Sequence, residues 1–126
     1  MTPRTPVAFI DWLVGRHARL EPVLDEHLND YDELLAHVFF ADLTRDAAQL
    51  ARRAERDEEA EAELCRLLGD LETALRPAEE RDDVDDLIWV SFVENAQGVA
   101  GDEEEQLRSY VRRYPRLAAA LSHYDN

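Results

Sequence analysis

The sequence predicts an all-α protein, a single acidic domain over residues 1–126, folded as an orthogonal or solenoid-like bundle of five to seven helices. Apolar side chains recur at intervals of three and four through most of the chain, which is the period of a helix face. No run shows the strict alternation of a half-buried strand. Proline, glycine and aspartate punctuate the apolar segments where helices start and stop. With 126 residues and 45% apolar content the chain can bury one core without disulfides or structural metal, which excludes a fully disordered acidic tail.

Thr5-Pro6 offers an N-cap followed by proline at the first helical position, and Val7, Ile10, Leu13 and Val14 follow at helical spacing. Pro22 breaks or restarts that helix, leaving a short segment with Val23, Leu24 and Leu28 on one side. Asn29 to Asp32 marks the next junction, where Asp30 and Glu33 fit a capping box. From Leu34 to Ala54 the stripe Leu35, Phe39, Leu43, Ala47 and Leu50, widened by Leu34, Val38 and Ala41, predicts a long, deeply seated helix. Glu58 to Ala78 repeats the pattern with Leu64, Leu67, Leu68, Leu71 and Leu75, supported by Arg66/Asp70 and Glu72/Arg76 one turn apart. Asp82 can cap a helix in which Leu87, Ile88, Trp89, Val90, Phe92 and Val93 leave almost no polar face, as expected of a central element. Gly98 and Gly101 end it, and Asp102 with Glu105 forms a second capping box. Leu107, Tyr110 and Val111 begin a helix that stops before Pro115, and an Ala-rich piece runs from Arg116 to Tyr124.

Two segments carry a resemblance. Asp32-Glu33-Leu34-Leu35-Ala36-His37-Val38-Phe39-Phe40-Ala41-Asp42-Leu43-Thr44-Arg45, taken with Ser91-Phe92-Val93-Glu94-Asn95, resembles a family of small bacterial acidic proteins. In that family an ELL-x-H-x-FF-x-D-x-TR segment precedes an acidic helix and an SF-[LV]-EN segment. Ala41 stands where the family pattern has glycine, a change a helix accepts easily. The resemblance implies a helical domain and, through likeness to immunity-type partners of bacterial toxins, a role in binding. It implies no activity.

The motif residues Asp42, Arg45, Glu94 and Asn95 suggest a polar cluster near the core, which has two readings. Asp42 and Glu94, with His37, would supply an acid/base or metal site, since burial beside a like charge raises a carboxylate pKa. Alternatively, Asp42 and Arg45 form an internal ion pair and Asn95 satisfies a helix end. The structural reading is preferred because nothing else specifies a reaction. Ser91 and Cys65 lie inside apolar helical stretches with no base beside them in sequence, and no glycine-rich turn offers a phosphate or oxyanion cradle. The four histidines lack the repeated Glu-x-x-His of a di-iron bundle. The expectation is a protein that is not an enzyme, with no cofactor and no metal.

Charge is the functional signal. Of the net −15, residues 21–46 hold eight Asp/Glu against one Arg, and residues 79–105 hold eleven against one Arg. Such asymmetry bears on partners. Part of it is ordinary solvation and helix-start preference. Yet Glu79, Glu80, Asp82, Asp83, Asp85 and Asp86 crowd six acids into eight residues, and like-charge crowding costs stability unless something relieves it. These residues, with Asp25, Glu26, Asp30, Asp32 and Glu33, are expected to steer a basic protein partner, such as a toxin, into contact, with Tyr31 as an aromatic anchor. Without a basic patch, nucleic acid and anionic membranes are not expected partners. The longest apolar stretch, Leu87 to Val90, is far too short for a span, and Met1 to Pro6 does not begin a secretory segment, so a cytoplasmic location is expected.

Overall fold

The computed structural model describes residues 2–97 and 105–124. Those residues form seven helices and no strand. They are α1 (Pro6–Arg16), α2 (Leu20–Tyr31), α3 (Ala36–Arg53), α4 (Glu58–Ala74), α5 (83–97), α6 (Glu105–Val111) and α7 (Pro115–Tyr124), with a 3₁₀ turn at Ala78–Glu80.

The long helix α3 is the hub, with α1, α2, α4, α5 and α6 all packed on it. Its Phe39, Phe40, Leu43, Ala47 and Leu50 are fully buried, as the period of its apolar residues predicts. Phe40 stacks on Phe9 of α1 at 6.1 Å between ring centroids, and burying a ring of that size contributes about 1.5–3 kcal/mol. α4 closes one side of the core with Leu64, Leu67, Leu68 and Leu71, and α7 packs on it.

Local chemistry sets the boundaries. The Thr5 hydroxyl accepts from Ala8 N–H with Pro6 in the first turn, as expected. α2 begins two residues before Pro22, which a first turn tolerates, and runs through Tyr31 to Asp32, whose φ of 61° terminates it. Asp30 therefore sits in the last turn of α2, and the expected Asp30/Glu33 capping box does not form. α3 starts at Ala36, two residues later than its apolar pattern suggests, because the Leu35 backbone is extended and its N–H is bonded to His27. α4 stops at Ala74, short of Ala78, since Pro77 disfavours helix at Arg76.

The middle of α5, Leu87–Val93, is π-helical between short α segments Asp83–Asp86 and Glu94–Gln97. Glu94 N–H bonds to the carbonyl of Trp89, five residues back. α5 packs on the flank of α3, with Trp89 only partly buried and Val90 exposed, so the expected burial on every side does not hold. The expected stop at Gly98 and Gly101, and the Asp102–Glu105 box, rest on residues outside the described ones.

Candidate functional site

The two acid-rich segments lie at opposite kinds of helix end. Asp82 is the N-cap of α5 and accepts from Val84 and Asp85 N–H at 3.1 Å each, while Asp85 accepts back from Asp82 N–H at 2.9 Å. Arg4 then reaches in from the chain's start. Its Nε and Nη2 donate to the two oxygens of Asp82 at 2.8 and 2.6 Å, Nη2 also donates to Asp85 at 3.0 Å, and Nη1 donates to the carbonyl of Ala74 at 2.7 Å. Arg76 adds its backbone N–H to Asp85 at 2.8 Å and its guanidinium to Asp82 at 3.5 Å. The Arg4 bond holds the Asp82 carboxyl well below the usual carboxylate range, whereas burial pushes Asp85 up, against the backbone donors of Arg76 and Asp82. Arg81 pairs with Asp86 at 2.5 Å while stacking over Trp89 at 4.6 Å.

Crowding in this segment is thus relieved within the chain. Asp85 is fully buried and cannot touch a partner, which corrects its expected place on a docking surface. Asp82 and Asp86 are committed to arginines, and Glu79, Glu80 and Asp83 are exposed.

α2 shows the reverse. Asp25, Glu26, Asp30, Asp32 and Glu33 are all exposed, and among the described residues none has an ion pair or side-chain hydrogen bond. The last turn of α2 contains no basic residue. Acid there opposes the helix dipole, an unfavourable effect of about 0.3–1 kcal/mol per charge at low salt. Glu26 and Asp30, one turn apart, repel each other by a further few tenths, about 0.2–0.5 kcal/mol. Between these acids α2 exposes two large apolar side chains, Leu28 at 38% and Tyr31 at 47%.

Leu28 points outward because His27 takes the inward position of α2, where only 1% of it is exposed. Its ring lies 4.9 Å from that of Tyr31, tilted by 39°, and meets Phe39 edge-on at 6.0 Å. Nε2 accepts the N–H of Leu35 at 3.0 Å, which stands in for the missing side-chain cap at the start of α3. A backbone N–H can only donate, so Nε2 carries the lone pair and Nδ1 carries the proton. That Nδ1–H has no hydrogen-bond partner; Asp42 Oδ2 lies 3.8 Å away. A buried donor left unpaired costs about 1–3 kcal/mol. Sequence pattern held a signal for this residue, since His27 falls in phase with Leu20, Leu24 and Tyr31, but polarity argued against an inward position.

A cleft of about 520 Å³ opens beside this histidine, walled by Glu26, Asp30 and Tyr31 from α2 and Asp42, Arg45 and Asp46 from α3. Arg45 pairs with Asp42, and Arg19 holds Asp46 through two bonds of 2.7 and 2.8 Å. A smaller cavity of about 240 Å³ lies where α1 meets α2, floored by Leu20, Leu50 and Leu67. There Asp70 is taken by Arg16 and His17, at 2.7 Å each, and does not serve its expected neighbour Arg66. Glu72 likewise accepts from the backbone of Arg116 and Leu117 at the start of α7, and Arg76 faces Asp82.

The four motif residues do not form one cluster. Asp42 and Arg45 pair at the surface beside α2, whereas Glu94 and Asn95 are exposed on α5. The two motif segments instead meet through other side chains. His37 hydrogen-bonds Ser91 Oγ at 2.5 Å, and the Ser91 carbonyl accepts from Thr44 Oγ1 at 3.2 Å and from Asn95 Nδ2 at 2.6 Å. Ser91 therefore has a base beside it, contrary to the expectation from its sequence neighbours. It is buried, no third side chain among the described residues orients His37, and neither residue lines the clefts above. The bonds latch α3 to the π-helical turn. Among the described residues no three His, Cys, Asp or Glu come together as metal ligands, and no helix is long and apolar enough to cross a membrane.

No protein-family model, curated protein or solved structure matches the chain. Fold and site define a class: an all-α acidic domain in which, among the described residues, five neighbouring acids on and just after α2 are exposed and unpaired.

Proposed function

We propose that the protein is an acidic interaction module that binds a basic protein through the outer face of α2, acting in the cytoplasm as an immunity-type inhibitor that covers the working surface of a bacterial toxin. One observation carries the reading. Five acids, Asp25, Glu26 and Asp30 on α2 and Asp32 and Glu33 just past it, crowd together where neither the helix dipole nor any arginine stabilises them, so their presence is a cost to folding that a basic partner would remove. The apolar Leu28 and Tyr31 inside that acidic rim supply the desolvated anchor that charge alone lacks. The field of the whole chain, net −15, speeds encounter with a cationic surface.

The test is capture of a partner from lysate of the source organism on tagged wild-type protein, with elution along a salt gradient. The expected result is one stoichiometric basic protein, released as the Debye length falls below about 10 Å and not captured by the Asp25→Asn/Glu26→Gln/Asp30→Asn variant. A partner indifferent to salt and to that variant would overturn the reading and direct attention to an apolar docking surface.

A further inference from the structure

The cleft between α2 and α3 carries a more specific inference, which rests on the reading that a basic protein docks on α2. Four carboxylates face this cleft or its rim. Asp46 is matched by Arg19 and Asp42 by Arg45, which leaves Glu26 and Asp30, one turn apart on α2, without a cation. The volume of about 520 Å³ falls in the range of about 300–1,000 Å³ usual for ligand clefts. Tyr31 forms one wall, its ring backed by His27. A second observation is the buried His27 Nδ1–H, which has no hydrogen-bond partner and lies 3.8 Å from Asp42 Oδ2 on the cleft wall.

We infer that this cleft receives an arginine side chain of the basic partner, its guanidinium bridging Glu26 and Asp30 and lying against Tyr31, with Asp42 steadied from behind by His27. The cleft already holds one guanidinium, that of Arg45, on Asp42. The Arg45 side chain is 69% exposed, and a surface pair of that kind is readily exchanged. A planar fork with five donors can serve two carboxylates at once and stack on an aromatic ring, which a lysine ammonium cannot do equally well. Release of Arg45 frees Asp42 to move the roughly 1 Å that brings it into hydrogen-bond range of Nδ1, so the unpaired donor acquires its acceptor when the site fills. A divalent cation is the weaker candidate, because the cleft presents no set of three ligands.

The experiment is an NMR titration of the ¹⁵N-labelled full chain with N-acetyl-arginine amide, and separately with N-acetyl-lysine amide, at low ionic strength. The expected result is saturable shifts at Glu26, Asp30, Tyr31 and Gln49, and at the Leu35 amide that reports on His27, with a Kd on the order of 1–10 mM. Arginine amide should bind at least about 3-fold tighter than lysine amide, and Tyr31→Leu should erase that preference. Glu26→Gln and Asp30→Asn should each weaken binding by about 3–10-fold, while Arg45→Ala binds as well as wild type or better. Non-saturating shifts spread equally over Glu79, Glu80 and Asp83 would overturn the inference. So would equal binding of the two amides. A silent cleft in a protein that still captures a basic partner by its acidic face would overturn this inference and leave the broader reading standing, whereas arginine binding without any partner would do the reverse.

Discussion

Five carboxylates lie between Asp25 and Glu33, and six between Glu79 and Asp86. The first group runs from the middle of α2 to just past its C-terminus, the end where the dipole is unfavourable to acid, and it faces water without partners. In the second, Asp82 and Asp85 close a capping box at the favourable end of α5, and Arg4, Arg76 and Arg81 answer Asp82, Asp85 and Asp86. Density of acid therefore does not identify a docking surface. What separates the two is whether arginines arrive: Arg4, Arg76 and Arg81 engage three of the six acids of the second group and leave Glu79, Glu80 and Asp83 exposed, whereas all five of the first group stay without a cation.

The contrast makes the two groups respond oppositely to substitution. Arg4→Ala should have the largest effect, because it leaves the buried Asp85 without its cation and strands the Ala74 carbonyl. A loss of about 2–4 kcal/mol is expected in urea unfolding, somewhat below the value for a fully dry pair because Asp82 keeps some contact with water. A loss below about 1 kcal/mol would place the two acidic groups on the same footing. Asp85→Asn, which keeps the volume and part of the cap, is expected to cost about 1–3 kcal/mol, read from the shift in urea midpoint at unchanged slope.

The pH response sharpens the comparison from another side. Asp82 is depressed by the hydrogen bond from Arg4; at Asp70 burial pushes upward, but the bonds from Arg16 and His17 outweigh it and hold the carboxyl down. A folded pKa below the unfolded value of about 3.9 means stability that is complete above that value and is lost as pH falls through the folded one. Asp70→Asn should therefore narrow the gap to wild type as the solution is acidified below about pH 4, followed by circular dichroism. A gap that instead widens on acidification would contradict the assignment.

The smallest effect is expected on α2. Neutralising Asp25, Glu26 and Asp30 together should raise stability by about 0.5–1 kcal/mol at low salt, through relief of repulsion and of the dipole conflict, while abolishing capture of a basic partner.

Much of the helical framework is legible in the residues themselves. The period of Phe39, Leu43, Ala47 and Leu50 locates α3 to within two residues, Thr5-Pro6 locates the start of α1, and Asp82 locates that of α5. Boundaries decided by distant side chains are not legible: α3 begins where His27 bonds Leu35, a contact no local pattern announces. The candidate site divides in the same way. Exposure of Glu26, Asp30 and Tyr31 follows from local polarity. The burial of Asp85 depends on Arg4, 81 residues away, and the pairing of Ser91 with His37 spans 54 residues. Residue type along one helix cannot show which cation or base the fold will deliver to it.

The most direct test of the central claim is urea unfolding of wild type, Asp85→Asn and the Asp25→Asn/Glu26→Gln/Asp30→Asn variant at two ionic strengths, with Debye lengths of about 30 Å and about 3 Å. The account predicts that Asp85→Asn is destabilised by about 1–3 kcal/mol at both, and that the triple variant is more stable than wild type at low salt and equal to it at high salt. A triple variant less stable than wild type at both ionic strengths would contradict the account, because the α2 acids would then be part of what holds the fold together.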